Sequence, residues 1–201
     1  MMPLLVATNN PGKLREFRSL LEGISLVGPA ALNLELEVEE DGLTFAANAA
    51  LKATAFARAA DCVALADDSG LEVDALDGAP GIYSARYCSP DLDDMGRCRL
   101  LLEQLREFPD PSSRTARFRC CVVAGAPDGR TCRAEGTCEG IIAPAPAGDN
   151  GFGYDPIFYL PDCSLTAAQI SPERKNRLSH RGAAIRAIRP LLLQTFPELV
   201  G

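Results

Sequence analysis

Two adjacent carboxylates lie in the run Leu65-Ala66-Asp67-Asp68-Ser69-Gly70-Leu71, directly after a short apolar stretch. Neighbouring aspartates repel each other, so a fold gains little stability by placing both at a strand end. A cation resolves the conflict, and magnesium in particular binds carboxylate oxygen while keeping its remaining positions for water and phosphate. Ser69 can hydrogen-bond a ligand, and Gly70 lets backbone approach one closely. The chemistry suggested is metal-assisted handling of a phosphate.

The cationic residues point the same way. The chain has three lysines (Lys13, Lys52, Lys175) and one histidine (His180) against seventeen arginines. Lys13 ends the run Thr8-Asn9-Asn10-Pro11-Gly12-Lys13, which follows the apolar Leu4-Leu5-Val6. This reads as strand, turn and helix start, with Asn10 as N-cap and Pro11 at the first helical position. Backbone N–H groups at a helix N-terminus favour phosphate, and Lys13 adds a point charge. The Gly-x-x-x-x-Gly-Lys-[Ser/Thr] loop is absent. Farther on, Thr44 is placed to cap an alanine-rich helix reaching about Ala60, whose spacing puts Asn48 and Lys52 on one face.

The last third holds two more groups. Asn150-Gly151-Phe152-Gly153-Tyr154-Asp155-Pro156 interleaves rings with glycines, as a surface for stacking a flat ligand such as a nucleobase requires. Lys175 precedes Ser179-His180-Arg181-Gly182, where donors gather at the start of the closing helix.

The elements that must position these groups alternate in type. Strand Leu4–Ala7, helix Pro11–Glu22 and strand Ser25–Val27 come first, with Leu14, Phe17, Leu20 and Leu21 as the buried helix face. An acidic loop containing Glu39-Glu40 leads to the alanine-rich helix. Val63–Ala66 is the strand that delivers the aspartates, and Leu71–Val73 is a separate short strand. A helix over Asp91–Arg106 precedes a hairpin, Thr115–Ala126 with Thr131–Thr137, turning at Asp128-Gly129. Strands Glu139–Ala143 and Ile157–Leu160, a helical turn from Ser171 and a helix over Ser179–Phe196 complete the chain. This order predicts an α/β protein with a mixed, twisted sheet.

Length and composition set outer bounds. The 201 residues suit one sizeable domain or two intimately packed lobes, 47% hydrophobic and 23% charged. A net charge of -7 argues against general nucleic-acid or anionic-membrane binding. The eight cysteines include no Cys-x-x-Cys pair and lie mostly among aliphatic neighbours, as in Arg119-Cys120-Cys121-Val122-Val123. They read as small core residues of a protein in a reducing cytoplasm. No apolar stretch reaches the roughly 20 residues that span a bilayer.

Taken in order, the motifs resemble those of the inosine triphosphate pyrophosphatase family, the bacterial XTP/dITP pyrophosphatases in particular. The resemblance is carried by Thr8 to Lys13, Gly42-Leu43-Thr44-Phe45 with Asn48-Ala49 and Leu51-Lys52-Ala53, and Ala66 to Leu71. It continues through Gly78 to Tyr87, Gly151 to Phe158, and Ser179 to Gly182. Asn150 departs from the glycine often found before Gly-Phe-Gly-Tyr-Asp, a place where asparagine tolerates left-handed backbone.

The resemblance implies a single domain over 1–201, an elongated two-lobed α/β fold around a long mixed sheet, with a central substrate cleft. It implies hydrolysis of ITP, dITP and XTP to monophosphate and pyrophosphate, a Mg²⁺ requirement, and a homodimer. By the same correspondence Thr8, Asn9, Asn10, Pro11, Gly12 and Lys13 hold phosphates, and Asp68 is general base and metal ligand, with Ser69 touching substrate. Phe152, Gly153, Tyr154, Asp155, Lys175, His180 and Arg181 contact base and nucleotide, and Lys52 joins the substrate-binding set. Residue types leave two choices open: Asp67 can exchange roles with Asp68, and either Glu39 or Glu40 can complete the metal site. Two other readings compete. One is a different metal-dependent phosphohydrolase, either Maf-type or of the haloacid-dehalogenase kind, whose Asp-x-Asp spacing Asp67-Asp68 lacks. The other is a non-catalytic nucleotide-binding protein.

Overall fold

A computed structural model describes residues 2–89 and 91–200. The elements run β1 (Leu4–Val6), α1 (Pro11–Leu20), β2 (Leu26–Val27), α2 (Phe45–Ala60), β3 (Ala64–Val73), α3 (Asp94–Gln104), β4 (Thr115–Gly125) and β5 (Thr131–Ile142). They continue with β6 (Phe158–Leu160), β7 (Leu165–Thr166), α4 (Pro172–Leu178) and α5 (His180–Thr195). The strands form a seven-stranded sheet in the order β2-β1-β3-β4-β5-β6-β7. β1 pairs in parallel with β2 and with β3, whereas β5–β6 and β6–β7 are antiparallel. The α/β class and mixed sheet expected from the order of elements are those observed. No helix among the described residues is long and apolar enough to cross a membrane.

The chain divides into two compact units. One comprises Met1–Asp68, Cys120–Gly136 and His180–Gly201; the other comprises Ser69–Arg119 and Thr137–Ser179. In the first unit Leu4, Val6, Leu65, Val122 and Ala124 of the sheet pack on Phe17 and Leu21 of the α1 region and on Ala184, Ile185, Ile188 and Leu192 of α5. Leu14 and Leu20 lie against the same cluster, so the helical spacing of α1 identified its buried face. Alternation along β4 turns Gly125 away from that cluster and toward α2, where Ala53 lies within 4.0 Å of a Cβ built on the glycine. Alanines make this close approach possible. Thr44 caps α2 by accepting the Ala47 amide at 3.1 Å.

The second unit is built on Leu71, Val73, Leu101, Leu105, Phe118, Ile157 and Phe158. The Phe118 and Phe158 rings pack tilted at 49° with centroids 4.4 Å apart.

Two expectations are corrected. β3 is one ten-residue strand running through Asp67, Asp68, Ser69 and Gly70, not two short strands flanking a turn. β5 is likewise one twelve-residue strand where a break was expected between Thr137 and Glu139. Its glycines are sites of close packing. A Cβ on Gly136 would lie 2.2 Å from the His180 carbonyl oxygen and 2.5 Å from the Ala184 nitrogen. One on Gly140 would lie 2.6 Å from the Phe158 ring. Glycine in a strand often marks a place where another part of the structure approaches closely.

Candidate functional site

Because β3 continues through the aspartates, Asp67 and Asp68 point to opposite faces of the sheet. Their repulsion is relieved by geometry, and each meets its own partners. Asp67 Oδ2 accepts from Arg181 Nε at 3.1 Å and Nη2 at 2.8 Å, and Lys13 Nζ lies 3.1 Å away. Arg181 Nη1 also donates to Glu16 Oε2 at 2.5 Å. Burial alone would push the Asp67 carboxyl up, but Lys13, Arg181 and Lys52 outweigh it and hold the group well below the usual carboxylate range. Burial likewise opposes the charge on Arg181, and Asp67 and Glu16 outweigh it. Asp67 is a fixed anion.

Asp68 differs. Its Oδ2 accepts from Asn48 Nδ2 at 3.1 Å, and Lys52 Nζ stands 3.8 Å from Oδ1 and 3.1 Å from Glu40 Oε1. Asn48 is fully buried and fixed from its other end, where Oδ1 accepts the Gly42 amide at 2.8 Å. Burial raises the Asp68 pKa, with Glu40 adding to the rise; Lys52, Asn48 and Lys13 offset only part of it. A carboxylate with a raised pKa binds a proton more readily, which suits a general base. Of the two candidate metal ligands, Glu40 shares the Lys52 ammonium with Asp68, while Glu39 is exposed.

The N-terminus of α1 is capped internally. Asn10 Oδ1 accepts the Gly12 amide at 2.8 Å and the Lys13 amide at 3.1 Å, and Thr8 Oγ1 accepts the Asn10 amide at 3.2 Å. The amides that the helix-start reading offered to phosphate are therefore engaged by Asn10 and Thr8. Lys13 is left as the cationic contribution of this turn. Asn9 and Pro11 are exposed beside it, Gly12 is buried, and Ser69 follows Asp68 half-buried in β3.

In the second unit, Asp155 Oδ2 accepts the Phe152 amide at 2.8 Å and Lys175 Nζ at 2.5 Å. The Lys175 ammonium also lies 4.6 Å from the centre of the Phe152 ring, a cation–π contact. The two rings do not form one stacking surface. Phe152 is half-buried, but Tyr154 is buried in the core and its hydroxyl donates to the Ser84 carbonyl at 2.9 Å. Tyr154 anchors the loop, and Phe152 is the ring available to a ligand. Left-handed backbone is supplied by Gly151 and Gly153, at φ 78° and 62°. Asn150 serves otherwise, donating its side-chain amide to the Ile170 carbonyl at 3.1 Å. Gly151 is required twice over, since a Cβ there would lie 2.1 Å from Asp155 Oδ2.

The arrangement supplies a proton acceptor, two lysines beside adjacent carboxylates, and a separate ring with its own ammonium. Comparison with known proteins agrees over nearly the whole chain. The model of the Ham1 family matches residues 4–191. This chain belongs to the Ham1 family. A dITP/XTP pyrophosphatase of Desulforamulus reducens is 48% identical over 193 residues, 95% of this chain and 96% of that protein. One from Bacillus subtilis is 42% identical over 194 residues, covering 96% and 98%. The Staphylococcus aureus Ham1 protein superimposes with a TM-score of 0.85 at 42% identity, over 96% of this chain and 99% of the other.

Every candidate residue lies within the stretch matched to the Ham1 family. Lys13, Lys52, Asp68, Glu40, His180 and Arg181 belong to the first unit; Phe152, Gly153, Tyr154, Asp155 and Lys175 are brought together in the second. His180 and Arg181 are both buried where α5 begins, and Arg181 donates to Asp67 and Glu16. Glu16 escaped the reading of the sequence, although it lies three residues beyond Lys13 on α1 and so shares its face. Asp94, whose carboxylate accepts the Gly153 amide at 2.7 Å, gave no local signal.

Proposed function

We propose that this Ham1-family chain hydrolyses non-standard purine nucleoside triphosphates, ITP, dITP and XTP, to the monophosphate and pyrophosphate, as a magnesium-dependent homodimer in the cytoplasm. The observation that carries the reading is Asp68, a buried carboxylate with a raised pKa, beside Lys52 and next in sequence to the Lys13–Asp67 pair. The near full-length identity to dITP/XTP pyrophosphatases supports the substrate class over a Maf-type or dehalogenase-type activity and over a non-catalytic role.

The residues present suit a divalent cation. Glu40 and Asp68 already share one positive charge, the Lys52 ammonium, and offer carboxylate oxygens to a hard metal. Those two side chains would hold magnesium, which when bound supplies charge neutralisation on the triphosphate. Asp68 takes a proton from the water that attacks the α-phosphorus. As the new P–O bond forms, the α–β anhydride bond breaks and pyrophosphate leaves with the electron pair. Lys13 and Lys52 stabilise charge on the phosphates, a contribution that grows as the leaving group develops. Phe152 stacks on the base, and Lys175 offers a donor to its 6-oxo group.

Incubation with ITP and Mg²⁺, followed by separate assays of pyrophosphate and orthophosphate, tests the reading. IMP and pyrophosphate in equal amounts are expected, with dTTP turned over far more slowly. Orthophosphate as the first product, or equal turnover of dTTP, overturns it.

A further inference from the structure

The loop from Gly151 to Asp155 is fastened to the start of α3 by a side chain not yet given a role. Asp94, the first residue of that helix, divides its carboxylate between two donors: Oδ2 accepts the Gly153 amide at 2.7 Å, and Oδ1 accepts Arg97 Nη2 at 2.6 Å. Arg97 is itself fixed, since its Nη1 donates to the Leu92 carbonyl. One turn along the helix, the Cys98 thiol lies 3.5 Å from the Gly153 carbonyl oxygen. Its pKa is pushed up to about 12, by burial first and then by Asp94, so the thiol remains a donor. Both backbone polar groups of Gly153, its N–H and its carbonyl, are thus gripped by α3. Gly153 lies in left-handed backbone between Phe152 and Tyr154, so its orientation sets the direction of the Phe152 ring. Capping of α3 does not account for Asp94, because Asp93 does that work by accepting the Gly96 amide at 2.6 Å.

We propose that Asp94, held by Arg97, is a positioning residue for base recognition: it fixes the Gly153 peptide and thereby the ring face that Phe152 presents to the purine. The inference rests on the reading of Phe152 as the base contact. Loss of the anchor leaves phosphate handling untouched, because Lys13, Lys52 and Asp68 have no part in it. Binding of the base weakens, while the chemistry of a bound substrate proceeds at nearly the same rate.

The test compares Asp94→Ala, Asp94→Asn and Phe152→Ala with the native enzyme. Turnover of ITP is measured together with product inhibition by IMP and, separately, by pyrophosphate. In Asp94→Ala the KM for ITP and the inhibition constant of IMP rise about tenfold, the loss expected when a hydrogen bond to a charged group is removed. The kcat and the inhibition constant of pyrophosphate stay near native values. Asp94→Asn keeps an acceptor for the Gly153 amide and recovers most of the loss. Native IMP affinity in Asp94→Ala, or an equal weakening of IMP and pyrophosphate, overturns the inference while Phe152→Ala still loses IMP. Native IMP affinity in Phe152→Ala overturns the base-site reading, and this inference with it.

Discussion

Asp67 and Asp68 are consecutive residues of β3 whose carboxylates meet different cations on opposite faces of the sheet: Lys13 and Arg181 for the first, Lys52 for the second. The shifts of their pKa values are opposite in sign. Adjacent carboxylates in this strand are therefore not equivalent. One is held as an anion inside an ion-pair network, and the other, its pKa raised by burial, binds a proton more readily. Separation of titratable neighbours in this way is how acid–base roles are assigned in active sites.

Asp68→Asn is expected to lower kcat for ITP by about 10²–10⁴-fold, the usual contribution of a general base. The group acts as a base when deprotonated, so kcat/KM of the native enzyme should rise with pH through a pKa above the ordinary carboxylate value of about 3.9. Stability runs the other way. A carboxyl whose folded pKa is raised stabilises the fold fully below its unfolded pKa, and that contribution is lost as pH rises through the folded value. At neutral pH the metal-free Asp68→Asn protein should therefore melt no lower than the native protein. Near-native turnover, or a lower melting temperature without metal, contradicts this assignment.

Asp67→Asn should behave in the opposite manner. Its folded pKa is depressed, so its contribution to stability is present above the unfolded pKa and is lost as pH falls toward the folded one. Neutralising it weakens the pairing of Arg181, a fully buried guanidinium that also donates to Glu16. Breaking a buried pair in this way costs about 3–5 kcal/mol. Chemical denaturation at neutral pH should show that loss, and the difference from native protein should shrink in acid. A stable Asp67→Asn protein with abolished turnover would instead make Asp67 the base.

Much of this was legible before the structure. Asn10 and Thr44 cap the helices they were expected to cap, and the spacing of Leu14, Phe17, Leu20 and Leu21 identified the buried face of α1. These signals are local, depending on neighbours within one or two turns. The errors have a common cause in contacts distant along the chain. The break expected between Thr137 and Glu139 does not occur, and nothing nearby in sequence reveals that α5 and Phe158 press against this strand at Gly136 and Gly140. Asp67-Asp68 looked like a turn because the cations that let carboxylates occupy a strand interior come from Lys13, Lys52 and Arg181. Tyr154 looked like half of a stacking surface because its hydroxyl partner, the Ser84 carbonyl, is 70 residues away.

Gly136→Ala tests the close-packing account of β5. The added methyl would fall within 2.5 Å of backbone atoms of α5, and backbone cannot rotate away as a side chain can. Overpacking of this kind costs about 1–3 kcal/mol or more. Gly129→Ala, at the hairpin tip with open space around its Cβ but φ +91°, is strained for a different reason and is the useful control. A methyl tolerated at 136 without loss of stability would mean that α5 does not press on the strand.

Lys175 neutralises Asp155 and, on the proposed reading, serves the purine base, and a pair of variants separates the two. Its ammonium neutralises Asp155, which is buried at 3% exposure, and it stands against the Phe152 ring where it can serve a purine 6-oxo group. Lys175→Met alone strands a buried carboxylate, so loss of stability by about 3–5 kcal/mol should accompany any loss of recognition. Adding Asp155→Asn removes the stranded charge while an amide oxygen remains to accept the Phe152 amide, and stability should return in large part. Recognition should not return. Hypoxanthine and xanthine present an acceptor at position 6 where adenine presents a donor, so the doubly substituted enzyme should lose ITP turnover by about ten- to a hundredfold in kcat/KM. Any turnover of ATP should change little, and the ratio between the two substrates narrows accordingly. Denaturation curves and kcat/KM for ITP and ATP, measured for both variants, decide the matter. A stable double variant with the full native preference for ITP would confine Lys175 to neutralising Asp155 and place the 6-oxo contact elsewhere.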